Sequence, residues 1–220
     1  MDFIDTLLSL DTNLFLLING FHCAYMDKFM SVFSDKLVWI PFYLAIIFEI
    51  YRSKKKESTW IILALILCVV LADQISSSII KEAVHRFRPS RNENLQNLIH
   101  IVNGYKGGKY GFVSSHAANT IGLALLSSLI FKNRLYSYIV FIWVGITSYS
   151  RIYLGVHYPA DVLGGFIVGV FAALLCFGLL KRYKPHLVDD FKSITFNKLT
   201  LSSLVLIVSV FSIAIYSFIS

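Results

Sequence analysis

Three short strings in this chain hold residue types that can do nucleophilic and acid–base chemistry on an anion. Residues 81–89 read K-E-A-V-H-R-F-R-P, 113–116 read V-S-S-H, and 150–161 read S-R-I-Y-L-G-V-H-Y-P-A-D. Lys81, Arg88 and Arg151 supply ammonium and guanidinium donors that suit phosphate oxygens. Ser114 or Ser115 can cap a helix starting there, and a helix N-terminus offers an anion free N–H groups and partial positive charge. His116 projects from that first turn. Pro159 suits the first turn of another helix, which puts Asp161 in that turn, four residues after His157. A carboxylate so placed can take the Nδ1 proton of His157 and leave Nε2 as a nucleophile or base. Taken singly, each residue has a plainer reading: a cation at a span end anchors the interface, a histidine there is structural, and Ser-Ser is a cap. Three cations, two histidines and a carboxylate on one side point to a site.

The elements that must carry these residues are membrane helices. Of 220 residues, 56% are hydrophobic and only 15% charged, and mean hydropathy is +0.68. Ordinary soluble domains carry about 25% charged residues. A span needs about 20 mostly apolar residues. Blocks at 59–80, 117–131, 136–150, 159–180 and 199–219 qualify, and 37–51 is a shorter sixth with Pro41 near its start. The reading is an all-α polytopic membrane protein forming one domain, with an interfacial segment at 1–35 and a six-helix core at 36–220. Residues 3–18 carry apolar positions near helical spacing and suit a helix lying in the interface. Asp2 and Asp5 stand where a secretory signal would be basic.

The net charge of +7 does not indicate nucleic acid, because the basic residues divide between the two ends of the spans. Loops 52–57 and 132–134 and segment 181–198 share one side, with eleven basic residues including Lys192. The other side has nine, together with Asp2, Asp5, Asp11, Asp27 and Asp35. The positive-inside rule makes the first side cytoplasmic and puts the three strings outside. Cys23, Cys68 and Cys176 form no CxxC pattern and read as small buried hydrophobes rather than as a disulfide or zinc set. Asp73, with Gln74 and Ser76–Ser78, reads as an interhelical polar contact. Trp39, Tyr153 and Tyr158 read as interface aromatics. Gly164, Gly165, Gly169 and Ala172 suggest close helix packing. The polar stretch 81–116 reads as a structured loop with a short helix near 95–102, and His85 as a surface helix residue.

The pattern K-x6-R-P, Ser-x-His, then S-R-x5-H-x3-D resembles the type 2 phosphatidic acid phosphatase superfamily. Lys81, Arg88 and Pro89 match its first motif, and Ser150, Arg151, His157 and Asp161 its third. The second motif is usually Pro-Ser-Gly-His, so Val113 and Ser115 depart from it while Ser114 and His116 are kept. The resemblance implies a phosphatase in which Lys81, Arg88, Arg151, Ser114 and the 114–116 backbone hold phosphate. It implies that His157 attacks phosphorus, Asp161 orients it, and His116 protonates the leaving oxygen, with no cofactor and no metal. The implied substrate is a lipid phosphate such as phosphatidic acid, phosphatidylglycerol phosphate, undecaprenyl pyrophosphate or lipid A. The implied setting is a bacterial inner membrane with the site facing the periplasm. A phosphotransferase using the same histidine and an anion transporter using the same cations are the alternatives, and the sequence does not fix the oligomeric state.

Overall fold

The computed structural model describes residues 3–189 and 198–219, so Asp2 and Lys192, used in the charge comparison above, lie outside the described residues. The described residues are almost wholly helical. Their order is α1 (Phe3–Gly20), α2 (Ala24–Phe33), α3 (Ile40–Lys54), α4 (Ser58–Gln74), a π-helical stretch (Ile75–Ile80), α5 (Lys81–Val84), α6 (Ser115–Phe131), α7 (Arg134–Tyr153), α8 (Pro159–Tyr183), α9 (Pro185–Asp189) and α10 (Leu201–Ile219). Helices occupy each of the six apolar blocks. By length and composition three segments can cross a membrane: Leu37–Val84, Pro159–Tyr183 and Leu201–Ile219. The first holds two helices that pack on one another, because the chain breaks at Lys55 with a positive φ of 46°. Together α1 and α2 also pass, but they bend by 114° at the break between them. The chain is therefore an integral membrane protein.

The packing follows from where small and large residues fall. Along α8, Leu163, Ile167, Phe171 and Leu174 point outward and are exposed, as suits a lipid-facing stripe. The opposite stripe of Gly165, Gly169, Ala172 and Cys176 is buried, and α8 packs there against α6. A Cβ at Gly169 would lie 2.2 Å from the Ala118 carbonyl oxygen, and one at Gly165 would lie 2.5 Å from that of Ser114. Only glycine permits so close an approach. Helix α6 is buried nearly all round, flanked by α4, α7 and α8, and its N-terminus is thereby fixed in the middle of the molecule. Helix α10 packs on α3, where the buried Glu49 accepts from the Leu201 N–H at 2.6 Å and the Ser202 hydroxyl at 2.5 Å. Glu49 thus satisfies the first turn of a neighbouring helix.

Several expectations meet this packing differently. Asp73 accepts from Asn119 Nδ2 of α6 at 3.0 Å, as an interhelical contact should. Trp39, Tyr153 and Tyr158 are not interface aromatics. Each is at least 97% buried. Trp39 stacks edge-on against Phe33 and Trp143, Tyr153 hydrogen-bonds Asp27 at 2.5 Å, and Tyr158 meets Phe15 of α1. Tertiary partners claimed these rings before the headgroup region could. The loop after α5 has no helix over 95–102, only single turns at Glu93–Leu95 and Val102–Gly104. His85 follows the end of α5 in the left-handed region, exposed. Cys68 and Cys176 are buried, but Cys23 is exposed.

Candidate active site

Four elements meet at one end of the bundle. The π-helical stretch leads into Lys81, whose Nζ donates to Ser115 Oγ at 2.5 Å, and Ser77 Oγ lies 2.8 Å from the same hydroxyl. Ser115 opens α6. Ser114 caps it, its Oγ accepting from the Ala117 N–H at 3.5 Å, and its own N–H donates to the Asp161 carbonyl at 2.8 Å. After α5 the chain runs extended through Arg86, Phe87 and Arg88 and pairs with 109–111: Arg88 N–H donates to the Lys109 carbonyl and Gly111 N–H to the Arg86 carbonyl. Alternation along an extended strand puts Arg86 and Arg88 on the side away from the exposed Phe87.

Arg88 is buried and spends its donors inward. Nε donates to the Tyr110 carbonyl at 3.0 Å, and Nη1 to the Val156 carbonyl at 3.2 Å and to His157 Nε2 at 3.1 Å. Gly107, with φ of +64°, lets the loop close over this guanidinium, because a Cβ there would sit 2.9 Å from Nη1. Arginine can only donate, so Nε2 presents its lone pair and the ring proton is on Nδ1. That nitrogen lies 3.3 Å from Asp161 Oδ2, which also accepts from the Tyr158 N–H at 3.0 Å. The loop position of His157 and the Pro159 start of α8 give the four-residue spacing its geometry. Burial, then the charges of Arg88, Arg151 and Lys81, hold His157 well below the usual histidine range.

Arg151, near the end of α7, is 98% buried. It donates to Ser34 Oγ, faces the Tyr105 ring at 5.8 Å, and leaves its Nε without a partner. Among the described residues none of Lys81, Arg88 and Arg151 has a carboxylate within ion-pair distance. The ion pairs of Asp161 are with Arg86 and His157. Burial and the Arg151 charge pull Arg88 below the usual guanidinium range. Uncompensated buried cations are costly unless an anion joins them. Lys81 thus meets Ser115 at the start of α6, and Arg88, His157 and Asp161 meet at the start of α8. His116, in the first turn of α6, lines a cavity of about 530 Å³ that Trp39, Asp73, Asn119, Leu123 and Trp143 also line. This cavity reaches exposed apolar residues Ile47, Ile66 and Val70 on α3 and α4.

Sequence reasoning passed over three residues here. Tyr105 stands beside Arg151. Burial alone would raise its phenol, but a hydrogen bond and charge from Arg151, with Arg88 and Lys36, bring it below the usual range. Arg86 donates to Asp161 Oδ1 at 3.0 Å and to Asp11 Oδ2 at 2.7 Å. The R-F-R alternation carried a signal for Arg86, whereas nothing in the sequence tied Asp11 to the distant Asp161.

Residues 57–185, which hold all three strings, match the PAP2 superfamily. The chain belongs to the PAP2 superfamily. Across most of its length this PAP2 protein is 38% identical to the lipid A 4'-phosphatase of Bacteroides thetaiotaomicron, over 85% of this chain and 84% of that one. It is 40% identical to the lipid A 4'-phosphatase of Porphyromonas gingivalis over 74% and 70%. Its fold is similar to the crystal structure of Aquifex aeolicus LpxE, with TM-score 0.59, 23% identity, and 77% and 95% of the two chains covered. It also resembles a PAP2-type phosphatidylglycerolphosphate phosphatase from Bacillus subtilis, with TM-score 0.62 at 20% identity over 81% and 88%.

Proposed function

We propose that this PAP2 protein is a membrane lipid phosphatase that removes a phosphate from a lipid A-type glycolipid through a phosphohistidine. The observation that carries the reading is a buried His157, Nδ1 turned to Asp161 and Nε2 to Arg88, near cations that lack a carboxylate partner, with His116 lining a cavity that reaches exposed apolar residues. The lipid A preference rests on the two lipid A 4'-phosphatases to which most of the chain is similar.

In this reading the phosphate lies between Lys81, Arg88, Arg151, Ser115 and the start of α6, with Ser114 holding that turn. The Nε2 lone pair forms a bond to phosphorus as the bond from phosphorus to the lipid oxygen breaks. His116 gives that oxygen a proton, and the lipid alcohol leaves toward the cavity. Water then attacks phosphorus, His116 takes its proton, the bond to Nε2 breaks, and inorganic phosphate departs. Asp161 stabilises the charge that develops on the imidazole. Fixed cations supply the electrostatic stabilisation on which phosphoryl transfer depends. Among the described residues no three His, Cys, Asp or Glu side chains converge as a metal site, so full activity in EDTA is expected. In the six-span arrangement the site faces the periplasm of an inner membrane.

The test is phosphate release from lipid A by detergent-purified protein in EDTA, beside undecaprenyl pyrophosphate, phosphatidylglycerol phosphate and phosphatidic acid. His157→Ala should lose at least about 10³-fold in kcat. Release that survives His157→Ala, or a new phospholipid in place of free phosphate, overturns the proposal.

A further inference from the structure

Helix α1 lies outside the span that matches the superfamily, yet it reaches the centre of the site. Asp11, Phe15 and Asn19 recur every four residues and so form one stripe of α1. Asn19 donates to the Tyr153 carbonyl at 2.8 Å and accepts from the His100 N–H at 2.7 Å. Phe15 is fully buried and packs edge-on against Tyr158 at 5.4 Å. Asp11 Oδ1 accepts from the Ala160 N–H at 2.8 Å, in the first turn of α8. Its Oδ2 takes Arg86 Nη2 at 2.7 Å, and Arg86 Nη1 then reaches Asp161 Oδ1 at 3.0 Å. The same guanidinium lies 4.0 Å over the Tyr158 ring.

The division of oxygens on Asp161 gives this chain its meaning. Oδ2 serves His157 and the Tyr158 N–H, while Arg86 is the side-chain donor to Oδ1. The Asp161 side chain is fully buried, so an unsatisfied Oδ1 would leave the carboxylate free to turn or to take up a proton. Arg86 is partly exposed and long. A guanidinium held by a carboxylate on each side and a ring beneath cannot swing away. We infer that Asp11 and Arg86 are positioning residues, through which α1 holds Asp161 in the orientation that, together with the Arg88 donation to Nε2, fixes the Nδ1–H form of His157. This rests on the phosphatase reading for its kinetic consequence, though not for its structural one.

Two measurements on the full chain in detergent test it. In steady-state release from lipid A, Asp11→Asn should lower kcat about tenfold and Arg86→Gln about a hundredfold, each with KM within about twofold of wild type. Asp11→Glu should recover most of the loss, and Asp11→Asn in the Arg86→Gln background should add little. In histidine-labelled protein without substrate, ¹⁵N shifts should show His157 wholly Nδ1–H in wild type and a tautomer mixture in both single variants, His157→Ala giving the assignment. Wild-type kcat in Asp11→Asn, a rise in KM matching the fall in kcat/KM, or an unchanged tautomer in Arg86→Gln overturns the proposal. If wild type releases phosphate from no lipid, the phosphatase reading falls while the tautomer measurement still decides this one. Should Asp11→Asn fail to fold, Arg86→Lys, which keeps the charge and loses the fork, is expected to show the same split.

Discussion

His157 is buried among three cations, and that sets how it meets protons. Its folded value lies below the ordinary 6.5, so between those two values the unfolded chain binds a proton that the folded chain refuses. The contribution of His157 to stability is therefore full above about pH 6.5 and falls as pH drops below it. The ring should stay neutral through pH 6.5 in an NMR titration of the ligand-free protein, where an unperturbed histidine is half protonated. A midpoint at or above 6.5 would contradict the depression. Most of the candidate site's local geometry was legible at this scale. The four-residue spacing of His157 and Asp161, with Pro159 between, is local geometry that a sequence displays. Arg86 was hidden because its neighbour Arg88 fits the same string and the alternation that sets them on one side belongs to a strand pairing with 109–111. Asp11 was hidden because its partners are 75 and 149 residues away.

At the scale of elements, hydropathy located helices well and lining poorly. Block 59–80 and block 159–180 became α4 with its π-helical continuation and α8, because apolar runs of that length have few other solutions. The π-helical stretch itself left no mark in the string ISSSII, yet it widens the turn that delivers Ser77 and Lys81 to Ser115. Aromatic position was misjudged for the opposite reason: Trp39, Tyr153 and Tyr158 carry polar atoms that suit an interface, and only the tertiary partners reveal that those atoms are satisfied inside. The small-residue stripe of α8 was legible and is sharply testable. Gly169→Ala places a methyl against the Ala118 backbone and should cost about 3 kcal/mol or more. Gly178→Ala in the same helix meets nothing within 4 Å and should be neutral or stabilising by up to about 1 kcal/mol. Thermal unfolding of the two variants in one detergent checks the contrast. Equal shifts would mean that α6 and α8 do not touch as described.

For the molecule as a whole, a six-span path and the positive-inside rule give an expected orientation. The side holding loops 52–57 and 132–134 carries eleven basic residues in the sequence, against nine on the side of the site. In right-side-out cells lacking the native exposed Cys23, a cysteine replacing Lys106 should react with a membrane-impermeant thiol reagent, and one replacing Lys55 only after lysis. The reverse pattern would put the site in the cytoplasm. The cavity beside His116 has a further consequence at this scale. It runs from His116 toward exposed Ile47, Ile66 and Val70, while Arg88 lies under the loop that Gly107 closes over it. One reactant therefore comes and goes within a two-dimensional solvent, and the other product leaves into a three-dimensional one. The concentration that governs saturation is then the mole fraction of substrate among its neighbouring lipids, and the one that governs inhibition by free phosphate is an ordinary molarity. Adding inert lipid should slow this enzyme without changing how much phosphate it takes to block it.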